Sequence, residues 1–181
     1  TIGSFDTSDK VLVIHQNGHY ETFHPDVNKK LPLSGIAHIY KWQPKDIVTA
    51  VYLDGASKTE YVKRFHIETK TDDQLFNFIG EHASSKLLFV SLHPEPQVKI
   101  TVLKGSATEK TEEVIVLSSF IDVKGWKSQG NKFTSDPRRG KVVDVSPALE
   151  SHKEEKPLSE ENKAAAEKKS PQVGGNLTLD F

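Results

Sequence analysis

The chain repeats one pattern, two β-prone runs separated by a turn, and that repeat restricts it to a small set of folds. The first unit reads Val11-Leu12-Val13-Ile14, a turn around Asn17-Gly18, then Tyr20-Glu21-Thr22-Phe23. Asn-Gly between β-prone runs is the strongest short hairpin signal, because a type I′ turn needs positive φ at both central residues. A second unit follows over 48–53 and 60–67 with Asp54-Gly55 between, and a third over 87–92 and 98–103 with a proline-containing turn at 93–96. The turns fall near residues 17, 54 and 94, an interval of about 37 to 40. A fixed interval of this size marks supersecondary units that bury their apolar faces only by stacking on one another. The stretches Ile36-Ala37-His38-Ile39-Tyr40 and Leu75-Phe76-Asn77-Phe78-Ile79 add a further strand to each unit. Helical periodicity is poor through residue 145. The expectation is an all-β, propeller-like chain of about three four-stranded blades, forming an open or incomplete ring. A β-sandwich with coincidental spacing is the alternative.

The last part of the chain differs. Residues 1–146 read as the β domain, and residues 147–181 as a charged flexible tail rich in Glu, Lys, Ser and Ala. The tail has no apolar face to bury and is expected to be disordered, or transiently helical over 160–169. It ends in Gly174-Gly175 followed by Asn176-Leu177-Thr178-Leu179-Asp180-Phe181, whose alternating apolar residues suit an edge strand or a docking peptide, with fraying as the alternative.

Charge is balanced over the whole chain, with 24 Lys and Arg against 25 Asp and Glu. A polyanionic partner must therefore be met by a local patch. Residues 122–141 are such a patch, with six cations (Lys124, Lys127, Lys132, Arg138, Arg139, Lys141) against Asp122 and Asp136. Three glycines, Trp126 and Phe133 are interleaved with them. Cations on a glycine-rich backbone of strands and turns suit a surface that tracks phosphates; an ordinary solvated loop is the alternative. The absence of cysteine excludes disulfides and thiolate metal sites. No apolar run approaches the roughly 20 residues that span a bilayer, so no membrane partner is expected and the compartment reads as cytoplasmic. With Thr1 first and no methionine anywhere, the chain reads as a piece of a longer protein.

Catalytic signatures are not visible. With Asn17-Gly18 as a two-residue turn, His15 and His19 point to opposite faces and cannot share an ion. His24, His38, His66 and His82 have no ligand spacing, and neither a Walker loop nor a Gly-x-Ser-x-Gly elbow is present. The acid pairs Asp72-Asp73 and Glu112-Glu113 read as solvated loop residues, and the four tyrosines as packing residues. The reading is a fragment with no catalytic residue, no metal site and no cofactor.

Val-Leu-Val-Ile-x-x-Asn-Gly, Tyr61-Val62-Lys63-Arg64-Phe65 and Val123-Lys124-Gly125-Trp126-Lys127-Ser128-Gln129-Gly130-Asn131 together resemble the C-terminal domain of the A subunit of bacterial type IIA topoisomerases, and most nearly that of topoisomerase IV. The likeness covers roughly residues 9–145, and the 125–131 segment is similar to the recurring Gly-Arg-x-Ala-x-Gly-Val element with Trp126 in place of Arg. The resemblance implies a β-pinwheel whose basic rim bends duplex DNA and presents it to a cleavage core on the same polypeptide, alongside an ATPase B subunit. It implies phosphate contacts from Lys63, Arg64, Lys124, Lys127, Lys132, Arg138, Arg139 and Lys141, and a location with the nucleoid. Lys63 and Arg64 adjoin on one strand, so one of them is expected at the rim and the other in a salt bridge. Trp126 is expected to pack between strands. The gyrase box Gln-Arg-Arg-Gly-Gly-Lys-Gly is missing, and Arg138-Arg139-Gly140-Lys141 echoes it only in part.

Overall fold

The computed structural model describes residues 4–32, 34–104, 109–133 and 141–148, and these form three antiparallel sheets with one helical turn. The strands are β1 (Lys10–His15), β2 (His19–Phe23), β3 (Ile36–Trp42), β4 (Ile47–Asp54), β5 (Thr59–His66), β6 (Phe76–Asn77), β7 (Lys86–Ser91), β8 (Gln97–Lys104), β9 (Glu109–Val116), β10 (Asn131–Lys132) and β11 (Val143–Asp144). The helical turn α1 (Leu117–Phe120) follows β9. Sheet 1 has the order β3-β1-β2-β6, sheet 2 the order β10-β5-β4-β7, and sheet 3 the order β11-β8-β9. The expected all-β class and the count of about three blades are what the described residues form. The tail at 147–181 lies almost wholly outside them.

Each sheet is built alike. A hairpin (β1-β2, β4-β5, β8-β9) forms the centre, and a later strand (β3, β7, β11) pairs with the hairpin's first strand. In sheets 1 and 2 a fourth strand pairs with the hairpin's second strand, and it comes from beyond the following hairpin: β6 lies after β5, and β10 after β9. The sheets are thereby stitched together by exchanged strands.

This topology corrects the third expected hairpin. The 87–92 and 98–103 runs do not pair. β7 pairs with β4 while β8 pairs with β9, so the turn near residue 94 carries the chain from sheet 2 to sheet 3. A proline-containing break suits that crossing, because proline cannot donate to a ladder. Glu112 and Glu113 accordingly sit on strand β9 and not on a loop.

The first hairpin is corrected by one residue. Ile14 pairs with Tyr20, so three residues connect the strands instead of two. The Gly18 amide donates to the His15 carbonyl at 3.0 Å, and Gly18 sits at φ +76°. A turn closed by a left-handed residue is the usual three-residue hairpin. The slip turns His15 and His19 to the same face, contrary to expectation. Even so, among the described residues no three His, Asp or Glu side chains converge in a metal-binding group.

Two apolar layers hold the stack. Leu12, Ile14 and Tyr20 of sheet 1 pack against Val48, Ala50, Tyr52 and Phe65 of sheet 2, with Phe78 inserted. Val51, Val62 and Phe89 on the opposite face of sheet 2 pack against Val98, Ile100 and Leu117. Sheet 2 is therefore covered on both faces, and β4 is buried without alternation from Val48 to Tyr52. A strand buried on both faces needs β-branched and apolar residues at every position, as Val-Thr-Ala-Val-Tyr supplies.

Candidate nucleic-acid interface

The basic stretch is laid along the open side of β5. The Lys124 amide donates to the Arg64 carbonyl at 2.8 Å, a turn closes from the Ser128 amide to the Gly125 carbonyl at 2.9 Å, and the Phe133 amide donates to the Glu60 carbonyl at 2.7 Å. Between them Asn131 pairs with Val62 and Lys132 with Tyr61. The close approach depends on Gly130, at φ +88°, where an added Cβ would lie 2.1 Å from the Val62 carbonyl oxygen. Trp126 anchors the turn by packing edge-on against Tyr20 and Phe76, with ring centroids 6.1 and 6.0 Å apart, so its expected packing role is what the structure contains.

Held this way, the segment presents Lys124, Lys127 and Lys132 on the exposed margin of sheet 2. The Lys127 ammonium sits 5.2 Å from the Trp126 ring centroid. The Lys124 ammonium donates to the Asn131 side-chain oxygen at 3.0 Å. Lys141, also exposed, enters sheet 3 just before β11. None of these four forms an ion pair with a described residue. The contrast is with Lys10, Lys29, Lys41 and Lys99, which are held by Asp72, Glu21 and Asp73, Asp9, and Glu112 respectively. A surface lysine with no carboxylate partner gives up little to meet a phosphate. Arg138 and Arg139 lie outside the described residues.

Lys63 and Arg64 require correction. Neither reaches a rim, and neither forms the expected salt bridge with a described residue; they are 2% and 8% exposed. They point to opposite faces as alternation demands, but β5 runs through the middle sheet and both faces are covered. The Lys63 ammonium donates to the carbonyls of Phe78 at 2.7 Å and Trp126 at 2.6 Å, among the rings of Phe65, Tyr52 and Phe78. It thus ties the chain following β6 to the basic turn. The Arg64 guanidinium donates to Thr49 Oγ1 and to the carbonyls of Ser118 and Ile121, each at 3.3 Å, closing the end of α1. Both residues hold the candidate segment and its approach from beneath. Alternation in Tyr-Val-Lys-Arg-Phe sets the two side chains on opposite faces, but no local signal in the sequence says that both faces are covered.

Burial without a nearby carboxylate pushes the Lys63 amine down from 10.5 to about 8. Below pH 8 both folded and unfolded chains hold the proton, and the fold bears the cost of burying the charge. Between 8 and 10.5 only the unfolded chain holds it, so stability should rise with pH across that window. The neutral amine keeps two N–H groups, enough for its two carbonyls. Tyr40 and Tyr52, whose phenols burial pushes upward, oppose the trend above about pH 10, where unfolded tyrosines ionise. The expected result is a gain of about 2 kcal/mol between pH 7 and pH 10, seen as a melting temperature that climbs and then falls. A Lys63→Met variant with the same rising limb would refute this origin.

The described residues thus form a blade-repeat β domain whose middle sheet carries a margin of exposed lysines with no carboxylate partner among those residues. A family model described as the topoisomerase C-terminal domain of Bacteroidota matches residues 1–140. The chain belongs to that family. No curated protein and no solved structure matches it. Among the described residues no helix is long and apolar enough to cross a membrane.

Proposed function

We propose that this chain is the duplex-holding domain of a topoisomerase IV-like A subunit. It binds DNA by its phosphates, bends it over the sheet margins and presents it to a cleavage core on the same polypeptide. An ATPase B subunit is the further partner in the holoenzyme, and the setting is the nucleoid in the cytoplasm. The observation that carries the reading is the run Lys124, Lys127, Lys132 on the exposed margin of sheet 2, without carboxylate partners among the described residues, in a member of a topoisomerase domain family. Contacts of this type hold a backbone and do not read bases. The absence of the full gyrase box favours topoisomerase IV-like bending over gyrase-like wrapping. The chain's part in this scheme requires no catalytic residue, metal or cofactor of its own.

Fluorescence anisotropy on duplexes of unrelated sequence should give binding that weakens steeply with salt and ignores sequence. The logarithm of affinity should fall linearly with the logarithm of salt concentration, with a slope of about −3 or steeper for at least three or four phosphate contacts. Absent binding at low salt, or affinity indifferent to salt, would sink the proposal and leave a protein-docking β-propeller with incidental lysines as the better reading.

A further inference from the structure

A cleft of about 390 Å³ opens between the basic turn and the turn that follows β6. Residues 77–80 form one side and residues 126–129 the other, with Tyr52 and Asp54 of β4 and Lys63 of β5 completing the lining. One side chain ties the two sides together. The Lys63 ammonium donates to the Phe78 carbonyl on the first and to the Trp126 carbonyl on the second, at 2.7 and 2.6 Å. The Tyr52 hydroxyl holds the end of the basic turn by donating to the Gln129 carbonyl at 2.5 Å.

Three donors around this cleft are unspent. An ammonium carries three N–H groups, and Lys63 uses two of them among the described residues. Ser128 Oγ is buried and has no hydrogen-bond partner among those residues. The Lys127 ammonium lies against the Trp126 ring and meets no carboxylate among them. Buried donors are normally satisfied, and a buried charge normally has a counter-charge beside it. Lys63 has none: burial alone pushes its amine down, with no carboxylate to offset it. Asp54, the acid in the lining, accepts instead from the Ser57 amide at 3.0 Å and the Ser57 hydroxyl at 2.6 Å.

Two cations and an orphaned hydroxyl along one cleft suit an oxyanion with close to two negative charges, which at neutral pH is a phosphate monoester. The cleft has more room than a bare phosphate needs. Tyr52, Phe78, Ile79 and Trp126 make the remainder apolar and largely aromatic, the usual lining for an organic group.

We propose that this cleft binds a small phosphate monoester carrying a planar apolar group. The phosphate meets Lys63, Ser128 and Lys127, and the apolar part lies along Tyr52 and Trp126. The site needs no duplex, although Lys127 belongs both to it and to the margin described above.

Phenyl phosphate is the probe, added to the protein without DNA and followed by calorimetry and by the side-chain resonances of Lys63. At saturation the midpoint of the Lys63 titration should move upward by about one pH unit, because a neighbouring anion favours the ammonium. Lys99, already tied to Glu112, should not respond. Phenol and chloride should have neither effect, and inorganic phosphate should bind on the order of tenfold more weakly than phenyl phosphate. Ser128→Ala should weaken phenyl phosphate on the order of tenfold, at an unchanged melting temperature since no hydrogen bond to a described residue is lost. Saturable binding that leaves the Lys63 titration unmoved, or that Ser128→Ala does not weaken, would place the ligand elsewhere and overturn the proposal. Equal affinity for phenyl phosphate and inorganic phosphate would overturn the ester assignment. A Lys63 response to duplex DNA alone would overturn the site itself, since the anion would then be a backbone phosphate. The DNA-free results leave duplex binding by the margin untouched, so the two readings fail separately.

Discussion

Reversing Lys124, Lys127 and Lys132 to Glu together should lower duplex affinity on the order of 100-fold at low salt and flatten the salt slope by about 3. The three side chains share one margin, and none is tied to a carboxylate among the described residues, so no ion pair within those residues is lost. The substitutions should leave the fold intact, with a melting temperature within about 3 °C of the parent. The loss should be equal for all duplex sequences, because phosphate contacts carry no base information. A matched reversal of Lys10, Lys29 and Lys41 provides the control: those lysines are spent on Asp72, Glu21 and Asp73, and Asp9, so affinity should move little. Equal losses for the two triple variants, measured by anisotropy on the same duplex, would show only a bulk charge effect and remove the margin's special role.

Gly130→Ala should be the most damaging small substitution in the described chain. The new Cβ would lie 2.1 Å from the Val62 carbonyl oxygen, and the backbone there is held at φ +88°. A flexible side chain can swing aside, but here the obstacle is the backbone of the central strand to which β10 pairs. The ladder must open, with loss of the Phe133 amide bond to Glu60 and of the seat of the Phe133 ring. The expected cost is about 4 kcal/mol, which for a domain of this size lowers the melting temperature by roughly 10 °C. DNA affinity should fall with it, because Lys132 rides on the displaced strand. Gly125→Ala is the contrast: nothing lies within 4 Å of its added Cβ, so stability should be nearly unchanged. Similar melting temperatures for the two variants would refute this account of the 124–133 segment.

How much of this was legible beforehand differs from element to element. The hairpins β1-β2 and β4-β5 were readable because their runs and turns are local in sequence. β7 and β8 misled for the same reason. Each is a good strand beside a good turn, and nothing local shows that one turns back to β4 while the other starts a new sheet. The exchange of β6 and β10 is also non-local: two-residue bridges carry too little periodicity to announce a partner some 50 to 70 residues away. The first hairpin differs by one residue because Asn-Gly supports both two- and three-residue turns, and the stacking of Leu12, Ile14 and Tyr20 selects the register. At the site, the lysines of 124–132 were legible as a cluster. The burial of Lys63 and Arg64 was not, since alternation assigns opposite faces without saying whether either face is open.

The sequence by itself determined the strand-rich class, the repeat of units and the location of the densest run of cations, because hydrophobic alternation, turn residues and charge are properties of near neighbours. Only the tertiary structure decided which strands share a sheet and that the middle sheet is covered on both sides. It also decided that two of the cations hold carbonyls inside while three others stand outside with no carboxylate partner among the described residues. Those outcomes depend on contacts between residues far apart in the chain, where packing of whole sheets outweighs any preference that a single strand carries.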